Sequence, residues 1–177
     1  MNEYIEFLSF INIQLETKKI PHLECFLMPA NFSSIVGEFM TATIPKFCKT
    51  LVKNTYHNGH PDLLPIDQYK DNSALHAKEG IEVKASRYTK GWQGHNPENA
   101  WLMVFCFEAN RIQDKEKGIS PMPFRFTKVV GAKLLKKDWL FSGRSATSRR
   151  TITASVTKSG FDKMEKNWIY RSPNDAD

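Results

Sequence analysis

Residues 81–86, Ile81-Glu82-Val83-Lys84-Ala85-Ser86, and residues 101–107, Trp101-Leu102-Met103-Val104-Phe105-Cys106-Phe107, decide how this chain folds. In the first stretch Ile81, Val83 and Ala85 alternate with Glu82, Lys84 and Ser86, the period of two that marks a strand with one buried face. The second is apolar at every position, which reads as a strand covered on both faces and belongs at the centre of a sheet. Leu63 and Leu64 suit a short strand or its edge, and residues 65–79 are polar enough for a loop or hairpin. Residues 124–130 and 151–156 supply further strands.

Helices are expected on either side of these strands. Tyr4, Phe7, Leu8, Ile11 and Leu15 recur at helical spacing behind Asn2, a residue suited to capping. Pro21 and Pro29 bracket an irregular or extended stretch, after which Asn31 or Ser33 caps a second helix with Ile35, Val36, Phe39 and Met40 on its apolar face. Pro45 is expected to break or restart that helix, with a further helical piece through Phe47, Leu51 and Val52 to about Tyr56. Near the other end, Ser159 and Asp162 form a capping-box-like start to a helix bearing Phe161, Met164 and Trp168. With no repeat or linker to divide it, the chain reads as one α/β domain. Residues 1–30 are a helical arm, residues 31–135 the core, and residues 136–177 a basic loop, a closing helix and a frayed tail.

A length of 177 residues fits one domain with its own core, and 41% apolar with 25% charged residues is an ordinary globular composition. No apolar run is long enough to span a bilayer, and Glu3 and Glu6 stand where a signal peptide carries bases, so a cytoplasmic protein with no membrane partner is expected. Cys25, Cys48 and Cys106 are odd in number and lack C-x-x-C spacing, which argues against a disulfide framework and a zinc site and leaves Cys106 to the core. Residues 1–60 carry five bases and five acids, residues 61–120 eight and nine, and residues 121–177 twelve and five, so the net charge of +6 comes from the last third. Residues 140–160 hold Arg144, Arg149, Arg150 and Lys158 with no acid, among Ser, Thr and Gly. Such a stretch is either a solvated loop or a surface for phosphates.

Chemistry concentrates at Pro61-Asp62 and, nineteen residues on, Glu82-Val83-Lys84. Side chains alternate along a strand, so Glu82 and Lys84 leave one face while Val83 leaves the other. Asp62, at the start of a neighbouring strand, can bring its carboxylate beside Glu82. Two carboxylates that close repel unless a cation lies between them, and hard oxygen ligands select Mg²⁺, with Mn²⁺ as a substitute. The carbonyl of Val83 offers a third protein ligand, and Lys84 can orient or deprotonate a water and offset charge on a pentavalent transition state. The bland alternative is a surface strand with a Glu-x-Lys pair. Glu16-Thr17-Lys18 repeats the tripeptide inside a helical pattern and is set aside.

These residues, with the order helix, strand, strand, strand over residues 31–135, resemble the PD-(D/E)xK nuclease superfamily, and within it a small type II restriction endonuclease. The resemblance implies a restriction-endonuclease-like core with a central mixed β-sheet flanked by helices. It implies that Asp62 and Glu82 bind metal and that Lys84 is the catalytic lysine; the further acid that family members often carry on the first core helix has Glu38 as its one candidate, which lies off the apolar stripe and equally suits a solvent-facing role. The expected activity is Mg²⁺-dependent, sequence-specific cleavage of double-stranded DNA, by a homodimer whose two-fold axis matches a palindromic site. Arg87, Lys90, Gln93, His95 and Asn96 form a candidate groove loop, since Arg reads guanine and Gln or Asn reads adenine. Arg144, Arg149, Arg150 and Lys158 form a second contact surface. Trp92 reads as buried, and His57 and His60 as turn residues, His60 being near enough to the motif to meet a phosphate. Two other readings stay open: a junction or repair nuclease, and a DNA-binding module without catalysis.

Overall fold

The apolar run becomes the strand from which the molecule is built outward. In a computed structural model describing residues 1–94, 96–142 and 153–173, the chain runs through α1 (Asn2–Thr17), α2 (Leu23–Phe26), α3 (Pro29–Phe47), β1 (Leu51–Lys53), β2 (Leu63–Pro65), β3 (Ile81–Ser86), β4 (Gln93–Gly94) and β5 (Ala100–Glu108). It continues through α4 (Ile112–Glu116), β6 (Arg125–Leu134), β7 (Trp139–Ser142), β8 (Thr153–Val156), α5 (Lys158–Lys166) and β9 (Trp168–Arg171). Six strands form a mixed sheet in the order β1-β2-β3-β5-β6-β9, parallel between β3 and β5 and antiparallel elsewhere. A second, antiparallel sheet has the order β4-β8-β7. The molecule is thus α/β with a mixed central sheet flanked by helices.

Both faces of β5 are covered because its side chains divide between two cores. Phe105 and Phe107 meet Tyr4 and Leu8 of α1 and Phe32, Val36 and Met40 of α3, together with Val83 and Phe126. Leu102, Val104 and Cys106 meet Trp92, Trp139, Ala154, Val156 and Met164 on the opposite face. Each fully buried ring of this kind stabilises the fold by roughly 1.5–3 kcal/mol. Because Tyr4 and Leu8 share the first core with Val83 and Phe105, residues 1–30 pack onto the sheet rather than standing apart from it.

Several local expectations are corrected. Residues between Pro21 and Pro29 include the one-turn α2, whose Leu23 N–H donates to Asn12 Oδ1 at 2.8 Å. Helix α3 begins at Pro29, behind Met28, instead of at an Asn31 or Ser33 cap, since Pro at the first helical position loses no hydrogen bond and arrives with its φ already set. Pro45 stays within α3, where it falls in the last turn and removes a bond only from the helix end. Residues 51–53 are a strand, not helix, because Val52 and its neighbours find an antiparallel partner in β2, with Leu51 opposite Pro65 and Lys53 opposite Leu63. Thr157, not Ser159, caps α5 by accepting from the Gly160 N–H, while Ser159 donates to Asp138 and Asp162 pairs with Lys158. Trp168 lies beyond that helix in β9, opposite Val130. Among the described residues no helix is long and apolar enough to cross a membrane.

The segment that enters β2 is fixed by Asn54, a buried amide. Its Nδ2 donates to the carbonyls of Pro61 and Ala74 at 3.0 and 2.8 Å, and its Oδ1 accepts from the Tyr56 and Ala74 N–H groups at 3.0 and 3.1 Å. The Asn54 N–H also donates to the Asp62 carbonyl at 2.8 Å. Gly80 completes the frame: at φ +140° it passes so near Leu63 that an added Cβ would lie 2.3 Å from the Leu63 carbonyl oxygen. Asn54→Ala leaves buried backbone groups unpaired and is expected to lower the unfolding free energy by about 2–4 kcal/mol in urea titration. A loss below about 0.5 kcal/mol, the range of an ordinary surface change, would refute this role.

Candidate active site

The site forms where β2 and β3 part. They pair only at Leu63 opposite Ile81, so from Val83 onward this edge of β3 has no strand partner. Asp62 fills the first place on that edge, its Oδ2 accepting the Val83 N–H at 2.8 Å. A residue's N–H and C=O point to the same side of a strand, so the Val83 carbonyl faces the same open edge. Asp62, Glu82, Val83 and Lys84 line one cleft of about 360 Å³, roofed by Glu38 and Thr41 of α3. The juxtaposition expected of Pro61-Asp62 and Glu82-Val83-Lys84 is therefore present.

Glu82 is engaged at both oxygens. Its Oε1 accepts from Lys84 Nζ at 3.0 Å and its Oε2 lies 2.9 Å from His60 Nδ1. The other ring nitrogen of His60, Nε2, lies 3.2 Å from Glu98 Oε2. The sequence suits His60 to a turn near a phosphate and gives no signal for Glu98; the two meet because distant parts of the chain come together, which no local pattern signals. A second, smaller cavity of about 210 Å³ adjoins Glu82 and Lys84 on this side, walled by His60, His76, Asn96, Glu98 and Trp139.

The electrostatics separate the two acids. Burial, then the nearby Glu82, push the Asp62 carboxyl up to about 6. Burial acts the same way on Glu82, but hydrogen bonds and charge from His60 and Lys84 outweigh it and hold Glu82 down at about 2. His60 is raised to about 10 by its hydrogen bonds to Glu82 and Glu98, against the opposing effect of burial. Glu82 is thus a fixed anion, and Asp62 is a carboxyl whose charge lacks full compensation. Among the described residues no hydrogen bond reaches Asp62 Oδ1, and no group of three or more His, Cys, Asp or Glu side chains is arranged to hold a metal. The oxygen donors that could serve a hard cation are Asp62, Glu82 and the Val83 carbonyl, a set whose charge fits such an ion.

The other candidate residues are scattered. Glu38 reaches the cleft, paired with Lys53 Nζ at 3.1 Å. Arg87 turns inward: its two terminal nitrogens donate to the carbonyls of Ala109, Asn110 and Glu24, holding α2 against the residues that follow β5, its guanidinium lies over the rings of Phe32 and Phe107, and its buried Nε has no hydrogen-bond partner among the described residues. Lys90 and Gln93 are exposed, Asn96 lies by the smaller cavity, and Trp92 is buried with its Nε1 donating to the Tyr88 carbonyl. Lys158 is exposed at the start of α5 and paired with Asp162. His95, Arg144, Arg149 and Arg150 lie outside the described residues. Compared with protein-family models, curated proteins and solved structures, the chain matches none.

Because the Asp62 carboxyl titrates near 6 in the folded chain against 3.8 in a free aspartate, the folded state holds that proton more tightly. Stability from this group therefore falls as pH rises through that interval and stays reduced above it. Glu82 has the opposite sense: its contribution is present above 4.5 and lost as pH falls towards about 2. Asp62→Asn is accordingly expected to raise the Tm of protein in EDTA at about pH 8, with a much smaller change at about pH 4, where the folded protein already holds the proton. Calorimetry at the two pH values checks this, and an unchanged or lowered Tm at the higher pH would contradict it.

Proposed function

We propose that this chain is a metal-dependent endonuclease of double-stranded DNA with a PD-(D/E)xK site on a restriction-endonuclease-like core. The observation that carries the reading is the convergence of Asp62, Glu82, the Val83 carbonyl and Lys84 at the free edge of β3. The parallel pair β3–β5 beside an antiparallel pair β2–β3 supports the core assignment. Asp62, Glu82 and the Val83 carbonyl would hold Mg²⁺, or Mn²⁺ in its place. That ion supplies positive charge to the phosphoryl oxygens and acidifies water.

The chain's own groups then have distinct tasks. Hydrolysis adds a water oxygen to phosphorus, breaks the bond from phosphorus to one sugar oxygen, and transfers the water's proton, by way of solvent, to that leaving oxygen. Lys84 Nζ, which already donates to Glu82, stands at the cleft to orient that water and offset negative charge on the phosphoryl oxygens of the transition state. Glu82 stays ionised throughout, since His60 and Lys84 both favour its anion. Basic residues at 144–150 and Lys158 would meet the DNA backbone, and a homodimer would place one site on each strand of a palindromic target. Restriction-type specificity is the favoured form; a nuclease for branched DNA would keep the same site and change only the shape it reads.

The experiment is incubation of purified protein with plasmid, plain duplex and branched DNA in Mg²⁺ and in EDTA. Cleavage is expected in Mg²⁺ alone, and Asp62→Ala, Glu82→Ala and Lys84→Ala are each expected to lower its rate by about 100-fold or more while DNA binding persists. Retention of cutting by all three variants would displace the site. Binding with intact DNA in Mg²⁺ would favour the DNA-binding module without catalysis.

Replacing Arg149 and Arg150 together by Ala is expected to weaken duplex binding and flatten the plot of log affinity against log salt by about two. An unaltered slope would take both residues out of the interface.

A further inference from the structure

We infer that His60, braced by Glu98, is a positioning residue that fixes the carboxylate of Glu82 for the metal. The inference rests on the reading of Asp62 and Glu82 as metal ligands and adds two residues to it. His60 is held by its backbone before its side chain does anything: its N–H donates to the Leu75 carbonyl at 2.9 Å, and its carbonyl accepts from the Ala77 N–H at 2.8 Å. The ring then spans two carboxylates, Glu82 at Nδ1 and Glu98 at Nε2. An ionised carboxylate only accepts, so both ring nitrogens serve as donors.

The consequence for Glu82 is orientational. With Lys84 on one oxygen and His60 on the other, its carboxylate plane cannot turn without breaking a charge-assisted bond, and its remaining lone pairs keep one direction. Among the described residues no hydrogen bond joins the Glu98 side chain to Glu82 or Asp62, and its bonded link to Glu82 runs through His60. Its own place is set from the second sheet, where Trp139 Nε1 donates to the Glu98 carbonyl at 2.9 Å. Partners that stand behind metal-binding carboxylates in this way typically change metal affinity by about 10–100-fold when removed.

A purely structural bridge would hold residues 57–79 to β3 and leave metal affinity alone. The two roles separate in the full-length protein without DNA, with Mn²⁺ as the probe and the electron paramagnetic resonance of free Mn²⁺ as the readout. Thermal unfolding is followed on the same samples. Wild-type protein is expected to bind Mn²⁺, and Asp62→Ala to abolish that binding. His60→Ala should raise the Mn²⁺ Kd by about tenfold or more, Glu98→Ala by at least about threefold, and His60→Gln, which keeps a donor for Glu82, should recover most of the loss. Glu98 is partly exposed and outside the cores, so its variant tests the inference even if His60→Ala fails to fold. Asp62-dependent Mn²⁺ binding that is unchanged within about twofold in His60→Ala or Glu98→Ala overturns the positioning role and leaves the metal site standing. Absence of Asp62-dependent binding in the wild type overturns both.

Discussion

Strand β5 must bury Leu102, Val104 and Cys106 on one side and Phe105 and Phe107 on the other, and neither layer can form without an element to cover it. The helical side is supplied by α1 and α3. The opposite side is supplied by α5 and the small β4-β8-β7 sheet. To lie parallel beside β5, β3 needs a crossover, and residues 87–99 make it by passing through β4 in the second sheet. Packing around one central strand thus gives β3 a covered face at Val83, while its outer edge is followed by β2 only at Leu63 opposite Ile81.

The candidate site depends on that short pairing. If β2 had stayed in register along β3, the Val83 N–H and carbonyl would belong to a sheet ladder and Asp62 would have no place there. Their divergence instead exposes two backbone groups, one of which Asp62 takes. Partial burial then makes the acid pair electrostatically unequal. Glu82 has His60 and Lys84 as hydrogen-bond partners, whereas Asp62 has a backbone amide, so burial and then the field of Glu82 raise Asp62 while His60 and Lys84 outweigh burial at Glu82 and hold it down. A hard cation is the species that would remove this asymmetry.

Much of this was legible because it is local. The alternation at residues 81–86 identified β3 and the faces of Glu82 and Lys84, and the unbroken apolar run at residues 101–107 identified the central strand. Features set by distant partners were not legible. Val52 is a strand residue only because Leu64 lies opposite, and Trp168 leaves the helix pattern because β6 offers it a partner at Val130. Arg87 has the composition of a groove contact, yet its carbonyl acceptors come from residues 24, 109 and 110, brought together by the fold. Glu98 is an isolated acid in the sequence and acquires a role only when His60 reaches it.

The ionic chain Lys84, Glu82, His60, Glu98 is not explained by stability alone. Partly buried ion pairs lose desolvation energy that largely offsets their attraction, and apolar side chains of similar size often hold a fold as well. Here its members stand between two cavities, with Glu82 and Lys84 common to both, and its far end is fixed by Trp139, the first residue of β7. In sequence, residues 143–152, which include Arg144, Arg149 and Arg150, follow β7 and precede β8. The network therefore joins β7 of the second sheet, through Trp139 and Glu98, to the carboxylate of Glu82 at the edge of the central sheet.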